Sequence, residues 1–393
     1  MVLIDLTHTA HTRSRTGIQR VARALCSGLG AEALPVCHDR FQGAWRKLDP
    51  WEMDNLSAIR PATRRGMRWP LHARLRGTLR RLASRGPGLQ VPAAGLIVPE
   101  IFSPAVARAL PALFASVAGP RVAVFYDAIP FTHPEFTPAS TVARFPTYMQ
   151  DLLAFDGIAA ISRESRDALV GYWDWLGVRS HPPVEAIPLG LAAPPAPASG
   201  DRAAPSASAA PTVLSVGTIE GRKNHVALLE ACERLWRRGF VFELRLVGLA
   251  QLETGRAALA RVSELRRMGR PVRYDGPAGD AELEAAYSAC SFTVYPSLAE
   301  GFGLPVLESV ARGKPCICLG RGALGEAAGG GGCLALSSVD SASLEGAVAT
   351  LLGEPERLAR LASEARARNL KSWGDYVREL AAWTDSLARR ASP

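Results

Sequence analysis

Short apolar runs alternate with longer stretches whose apolar residues recur every three or four positions along most of this 393-residue chain. The short runs are rich in Val, Ile and Leu, as strands buried on both faces are. The longer stretches carry the period of amphipathic helices. In the first half, strands are expected at residues 2–6, 96–98, 122–126, 157–161 and 184–187, and helices at 18–29, 140–155 and 163–172. The alternation lapses at "AAPPAPASGDRAAPSASAAP", residues 192–211, which is built almost wholly of Ala, Pro, Ser and Gly and reads as a semi-stiff linker. It then resumes, with strands expected at 212–216, 243–247, 272–274, 292–295 and 315–318, and helices at 224–238, 253–266, 280–288, 305–312 and 341–352. Strand–helix alternation on both sides of a linker predicts two doubly wound α/β halves. Ligands of such sheets sit at the carboxyl ends of strands, where strand order reverses, so the expected site is a cleft between the halves.

Composition narrows this only a little. Hydrophobic residues at 48% and charged ones at 21% fit an ordinary soluble globular enzyme. Seven cysteines include no C-x-x-C pair; Cys316 and Cys318 would share one face of a strand, and no further ligands cluster with them. They read as reduced thiols of a cytoplasmic protein. The start, "MVLIDLTHTAH", lacks a basic n-region and meets Asp5 too early for a signal peptide. No uncharged apolar run has the length of roughly 18 residues that a membrane span requires.

Charge changes the picture more. Residues 55–99 contain no Asp or Glu and nine arginines (60, 64, 65, 68, 74, 76, 80, 81 and 85), which account for the entire net charge of +9. Within them "RWPLHARLRGTLRRLASR" sets Trp69, Leu71, Leu75, Leu79 and Leu82 at helical spacing, with Arg74, Arg76, Arg80, Arg81 and Arg85 largely off that stripe. One reading of residues 60–85 is a basic amphipathic helix lying on an anionic membrane. The other packs the leucines on the amino domain and leaves the arginines solvated. Nucleic acid is not expected as a partner, because no aromatic-interleaved platform accompanies the arginines.

Two stretches carry candidate chemistry. "SLAEGFGLPVLES" sets Glu300 and Glu308 with seven residues between them, two of them glycines and one proline. A strand ending near Ser297 and a helix opening around Pro305 would place Glu300 on a loop and Glu308 one turn into the helix. Gly301 and Gly303 let backbone approach a ligand, and a helix amino terminus suits phosphate. Carboxylates beside a phosphate site are explained by hydroxyl groups, so sugar, diphosphate and ribose together fit. For an isolated E-x7-E, solvated surface residues would be the simpler reading. In "VGTIEGRKN", Gly217 ends a strand and Arg222 and Lys223 precede a helix that Asn224 can cap, an arrangement suited to a diphosphate or, more plainly, a solvated loop. His8 and His11 have H-x-x-H spacing without a carboxylate motif and read as loop or acceptor contacts rather than metal ligands. Trp173 and Trp175 read as helix-end packing, with an acceptor platform as the alternative.

Taken together, "VGTIEGRKN", "YPSLAEGFGLPVLES" and "GALGEAAGGGG" resemble, in order and spacing, the nucleotide-sugar domain of glycosyltransferase family 4, retaining enzymes of the GT-B fold. "DLTHTAHTRSRTGIQRVARAL", "FYDAIPFTHPEFTP" and "AAISRESRDAL" resemble the family's amino-terminal segments, and "VGTIEGRKN" is most similar to members that use GDP-mannose. The resemblance implies two facing Rossmann-like domains: an acceptor-side domain at 1–191, the linker at 192–211, a nucleotide-sugar domain at 212–370, and a helix at 371–393 packing back on the amino-terminal domain. It implies that Glu300 holds donor sugar hydroxyls, with backbone from Gly301, Phe302, Gly303 and Leu304. Glu308 would bind the ribose diol, and Arg222 and Lys223 the departing diphosphate. Gly17 and Gly217 would let loops approach the donor. Members commonly carry Arg directly after the glycine equivalent to Gly217; Thr218 stands here, leaving Arg222 to compensate. Where relatives often carry His before Asp127, this chain has Tyr126, so positioning by Tyr126 and Asp127 replaces acid–base work there. No D-x-D is present, which implies neither metal nor other cofactor. The expected activity is hexose transfer to a glycan or lipid-linked acceptor in surface polysaccharide synthesis. A same-fold epimerase and a non-catalytic sugar-nucleotide binder are the alternatives.

Overall fold

The computed structural model describes residues 1–13, 16–57, 66–83, 89, 92–192, 210–251 and 253–388. The body of the Ala/Pro-rich stretch and Arg60, Arg64, Arg65 and Arg85 lie outside the described residues. The chain forms two compact units, one of residues 1–132, 139–190 and 372–393, the other of 133–138 and 191–371.

The first unit is built on seven strands: β1 (Val2–Asp5), β2 (Ala33–Asp39), β3 (Ala44–Lys47), β4 (Gly95–Val98), β5 (Arg121–Phe125), β6 (Gly157–Ala160) and β7 (Val184–Ala186). Their order is β3-β2-β1-β4-β5-β6-β7, parallel except for the β2–β3 hairpin. The expected strands are all present. The β2–β3 hairpin has no counterpart among the expected strands. Asp39 and Arg46 are in fact buried and pair with each other across it at 2.9 Å. Strand order reverses between β1 and β4, so loops at their carboxyl ends border the switch point. Helix Trp373–Ser386 belongs to this unit and packs on helix Gly17–Leu29, where a Cβ on Gly28 would lie 2.8 Å from Val377.

The second unit holds β8 (Thr212–Val216), β9 (Glu243–Val247), β10 (Val272–Tyr274), β11 (Phe292–Tyr295), β12 (Cys316–Leu319) and β13 (Cys333–Leu336). All are parallel, in the order β10-β9-β8-β11-β12-β13. Here the switch point lies between β8 and β11, with Val213 opposite Phe292. The carboxyl ends of β8 and β9 approach closely: Gly248 has φ +148°, and a Cβ there would sit 1.9 Å from the Gly217 carbonyl oxygen. Only glycine fits that contact.

Candidate functional site

The switch point of the second unit gathers the residues singled out from two separate stretches. After β8 the chain makes a short 3-10 turn, Gly221–Lys223, before helix His225–Arg237. After β11 it loops through Glu300 into helix Leu304–Ala311, which opens with Gly303 at φ +94° and Pro305 in its first turn. The Leu298 N–H donates to the Arg222 carbonyl at 3.0 Å and ties the two loops together. Lys223 Nζ then lies 2.5 Å from Glu300 Oε1, and Arg222 Nη1 lies 2.7 Å from the same oxygen. Arg222 also pairs with Glu220 at 2.8 Å and donates to the Ala299 carbonyl at 2.8 Å. The Tyr295 hydroxyl donates to Glu300 at 2.9 Å, and the Lys223 ammonium donates to that hydroxyl.

Two cations and two carboxylates thus balance in a nearly dry site. Burial alone would raise the Glu300 carboxyl, but Lys223 and Arg222 overcome it and hold it down to about 2. Burial pushes the Lys223 ammonium below its usual range, with Glu300 opposing that shift. Burial also lowers neighbouring His225 to about 3, helped by Lys223, so that ring is neutral. Such a cluster is prepared for an anion: a diphosphate can take over the guanidinium and ammonium donors while Glu300 turns to hydroxyl groups.

The remaining expected residues fall around this cluster. Glu308 stands half-buried one turn into helix Leu304–Ala311, and Phe302 packs against the core behind it. Gly303 is required by its backbone, and a Cβ there would crowd Ala327 and Leu324 at 3.2 Å. Asn224 differs from expectation. It sits in the left-handed region at φ +53°, its side chain makes no cap bond, and its amide donates to the Val339 carbonyl at 2.8 Å. Tyr295 was missed; its signal was an aromatic ending a strand directly before the glycine loop.

In the first unit, the switch point holds a buried acid pair that the sequence did not reveal. Glu100, just after β4, accepts the backbone N–H groups of His8 and Thr9, each at 2.6 Å. Asp5, ending β1, accepts the Thr7 N–H at 2.9 Å. Burial raises Asp5 to about 6. Burial, reinforced by Asp5, raises Glu100 to about 8. Beside them a cavity of about 270 Å³ is lined by His8, Gln19, Asp127, Arg144 and Asp151 among others. Gly17 opens helix Gly17–Leu29, where Gln19 makes a capping box with Thr16 and approaches His8 Nδ1 at 3.2 Å. Asp127 faces this cavity and accepts the Ile129 N–H at 3.0 Å. Tyr126 does not share that position. Its ring is buried, and its hydroxyl donates to the Pro99 carbonyl at 2.6 Å. That bond gives Tyr126 a packing role in place of the expected contact with a reacting group.

His8 and His11 separate as well. His11 is buried, with Nδ1 2.6 Å from the Thr7 carbonyl and Nε2 2.8 Å from Glu52. Trp69 stacks on it at 3.8 Å, which removes Trp69 from the exposed leucine stripe where the spacing had put it. His11, Cys37 and Glu52 lie close enough to share a metal ion. Both Glu52 oxygens already accept from Arg46, at 2.7 and 2.8 Å, so a dication there would face a guanidinium. The donor set fits an ion-pair hub better than a metal. Trp173 is fully buried and donates to the Met149 carbonyl at 2.8 Å, whereas Trp175 is exposed.

The second switch point lies within a stretch that matches a known family. Residues 201–368 match the family described as glycosyl transferases group 1. Most of the second unit therefore resembles a group 1 glycosyltransferase domain. Its Lys223–Glu300–Arg222 cluster and Glu308 all lie inside the matched residues. The serotype-specific mannosyltransferase WbdA of Escherichia coli is 24% identical over 344 residues, covering 80% of this chain and 38% of that protein. The Escherichia coli O-antigen chain mannosyltransferase B is 36% identical over 123 residues, covering 31% of this chain and 32% of that protein. The chain thus spans about a third of the length of these relatives. Among solved structures, Anabaena HepE in complex with UDP-glucose matches with a TM-score of 0.68 at 16% identity, over 98% of this chain and 99% of that one. The two Rossmann-like units, the second carrying the matched stretch, make this a GT-B fold.

Proposed function

We propose that the protein is a retaining hexosyltransferase that moves a hexose from a nucleotide diphosphate sugar to a glycan or lipid-linked acceptor in surface polysaccharide synthesis. The observation that carries this reading is the convergence of Arg222 and Lys223 on Glu300 at the switch point of the second unit. The donor diphosphate takes the Arg222 and Lys223 donors, Glu308 accepts the ribose hydroxyls, and Glu300 accepts hydroxyls of the hexose. In the reaction the bond from the anomeric carbon to the phosphate oxygen breaks, and its electron pair leaves with the nucleotide. The acceptor oxygen bonds to the same face of that carbon, and its proton passes to the leaving phosphate. Arg222 and Lys223 stabilise the charge that develops on the diphosphate, the task a metal performs elsewhere, so we assign no metal or other cofactor. Gly217, at the carboxyl end of β8, leaves room for the donor, and Asp127 of the first unit is assigned to the acceptor.

GDP-mannose is the favoured donor, supported by the mannosyltransferase names of the Escherichia coli relatives. The cytoplasm, where nucleotide sugars are made, is the assigned location. Among the described residues no helix is long and apolar enough to cross a membrane. Incubation with a panel of nucleotide sugars, with detection of released nucleotide, tests the reading. Turnover of GDP-mannose above the other donors is expected; release from none of them, with or without added glycan acceptors, would overturn it.

A further inference from the structure

Helix Leu71–Ala83 turns its apolar row outward. Its buried side consists of Ala73 and Gly77, and the seat is tight: a Cβ on Gly77 would lie 2.8 Å from Phe41 and 3.0 Å from Asp39. On the opposite side Leu71, Leu75, Leu79 and Leu82 are 75%, 66%, 65% and 79% exposed. Of the five exposed leucines among the described residues, these are four, so the exposure is a patch rather than ordinary scatter. Positions 71, 75, 79 and 82 fall on one line along a helix about 20 Å long. The alternative in which the leucines pack on the amino domain is thereby excluded.

The flanks of the row are cationic. Arg74 and Arg81 lie to one side, Arg76 and Arg80 to the other, and exposed Arg68 and Met67 precede the helix. Arg76 and Arg80 each lie 3.4 Å from Asp49, which orients the helix. Arg74 Nε donates to the Trp69 carbonyl at 2.9 Å. Residues 66–83 contain no acidic side chain.

We propose that Leu71, Leu75, Leu79 and Leu82, with Arg68, Arg74 and Arg81 beside them, form a docking face for an anionic lipid bilayer. Four leucines along the crest of a convex helix offer no groove for a peptide, but they enter the acyl boundary of a flat surface together. Arg68, Arg74 and Arg81 then reach the phosphate level beside the row, as amphipathic cations do at interfaces. A second copy of the chain fits worse, because it would set two arginine-flanked rows against each other. This inference does not depend on the transferase reading, since it concerns binding without a sugar nucleotide.

The test is co-sedimentation of the full chain with phosphatidylcholine vesicles, with and without phosphatidylglycerol. Binding is expected only with phosphatidylglycerol. It should be released by salt, as the Debye length falls from roughly 10 Å at 0.1 M to 3 Å at 1 M. Each arginine near the surface is worth about fivefold in partition, so Arg74→Ser with Arg81→Ser should lower it about 25-fold. Leu75→Ser with Leu79→Ser should lower it more than tenfold. Circular dichroism should match the wild type and thermal melting should stay close to it, because all four side chains are exposed and only Arg74 gives up a hydrogen bond, that to the Trp69 carbonyl. Failure of the wild type to bind anionic vesicles would overturn the proposal, as would leucine variants that bind normally. Concentration-dependent dimers dissolved by the leucine changes would also overturn it, assigning the face to a second copy.

Discussion

Lys223 and Glu300, 77 positions apart in the chain, meet at 2.5 Å where the strand order of the second sheet reverses. Neither is independent of the other. Without Glu300 two cations would share a buried site, and without the cations the Glu300 carboxylate would be desolvated with little compensation. The same four-charge cluster that stabilises the loop pair is the one proposed to take the donor diphosphate.

Removing the two carboxylates should therefore have different effects. Glu308→Ala is expected to weaken nucleotide binding by tenfold to a hundredfold, since a hydrogen bond to a charged group is worth about 1.5–3 kcal/mol. Glu300→Ala should lower turnover by a similar factor while nucleotide affinity holds, because Arg222 and Lys223 remain for the diphosphate. Calorimetric titration with nucleotide beside steady-state kinetics separates the two. Wild-type kinetics in both variants would remove the assignment.

The buried acids of the two units should respond to pH in opposite senses. Glu300 has a folded pKa lowered from 4.5 to about 2, so its contribution to stability is full above 4.5 and is lost as pH falls towards 2. Glu100 is raised from 4.5 to about 8, so its contribution is full below 4.5 and is lost as pH rises through 8. Thermal melting of the wild type, Glu300→Gln and Glu100→Gln across this range checks both signs. The Glu300→Gln deficit should shrink towards acid, and the Glu100→Gln deficit towards alkali.

Two glycines make a graded backbone prediction. Gly303→Ala forces a side chain into the left-handed region and should cost about 1–2 kcal/mol. Gly248→Ala adds a clash at 1.9 Å with rigid backbone and should cost more. Denaturant unfolding of both variants reads the order directly, and the reverse order would contradict the strand-end geometry.

The β-α alternation was legible because parallel strands buried on both faces leave unmistakable apolar runs, as in residues 95–98 and 121–125. The Lys223–Glu300–Arg222 cluster was legible as a candidate because glycines, cations and carboxylates crowd short loops between a strand and a helix. What stayed hidden depends on distant partners. Nothing local to Arg46 or Asp39 says that they bury each other, and the hairpin carrying them is absent from the expected strands. Glu100 acquires its meaning from His8 and Thr9, more than ninety positions away. The Tyr126 hydroxyl is committed to Pro99, which no spacing rule anticipates. The leucine row was visible as a period, but periodicity does not say whether a face turns inward, and the small residues Ala73 and Gly77 decided that.

Metal independence separates charge supplied by the protein from charge supplied by an ion. Activity in excess EDTA should equal that in buffer alone. Complete loss restored by a divalent cation would mean that Arg222 and Lys223 do not suffice for the diphosphate.

The most direct test of the central claim is donor turnover by Lys223→Ala and Arg222→Ala, measured as nucleotide release at saturating and at low donor concentration. Each change removes one cation from the departing diphosphate, and loss of such a charged donor in a dry site costs about 2.7–4 kcal/mol in the transition state. The account predicts that kcat falls at least a hundredfold in each variant while the folded protein persists. Folded variants that release nucleotide at the wild-type rate would contradict it.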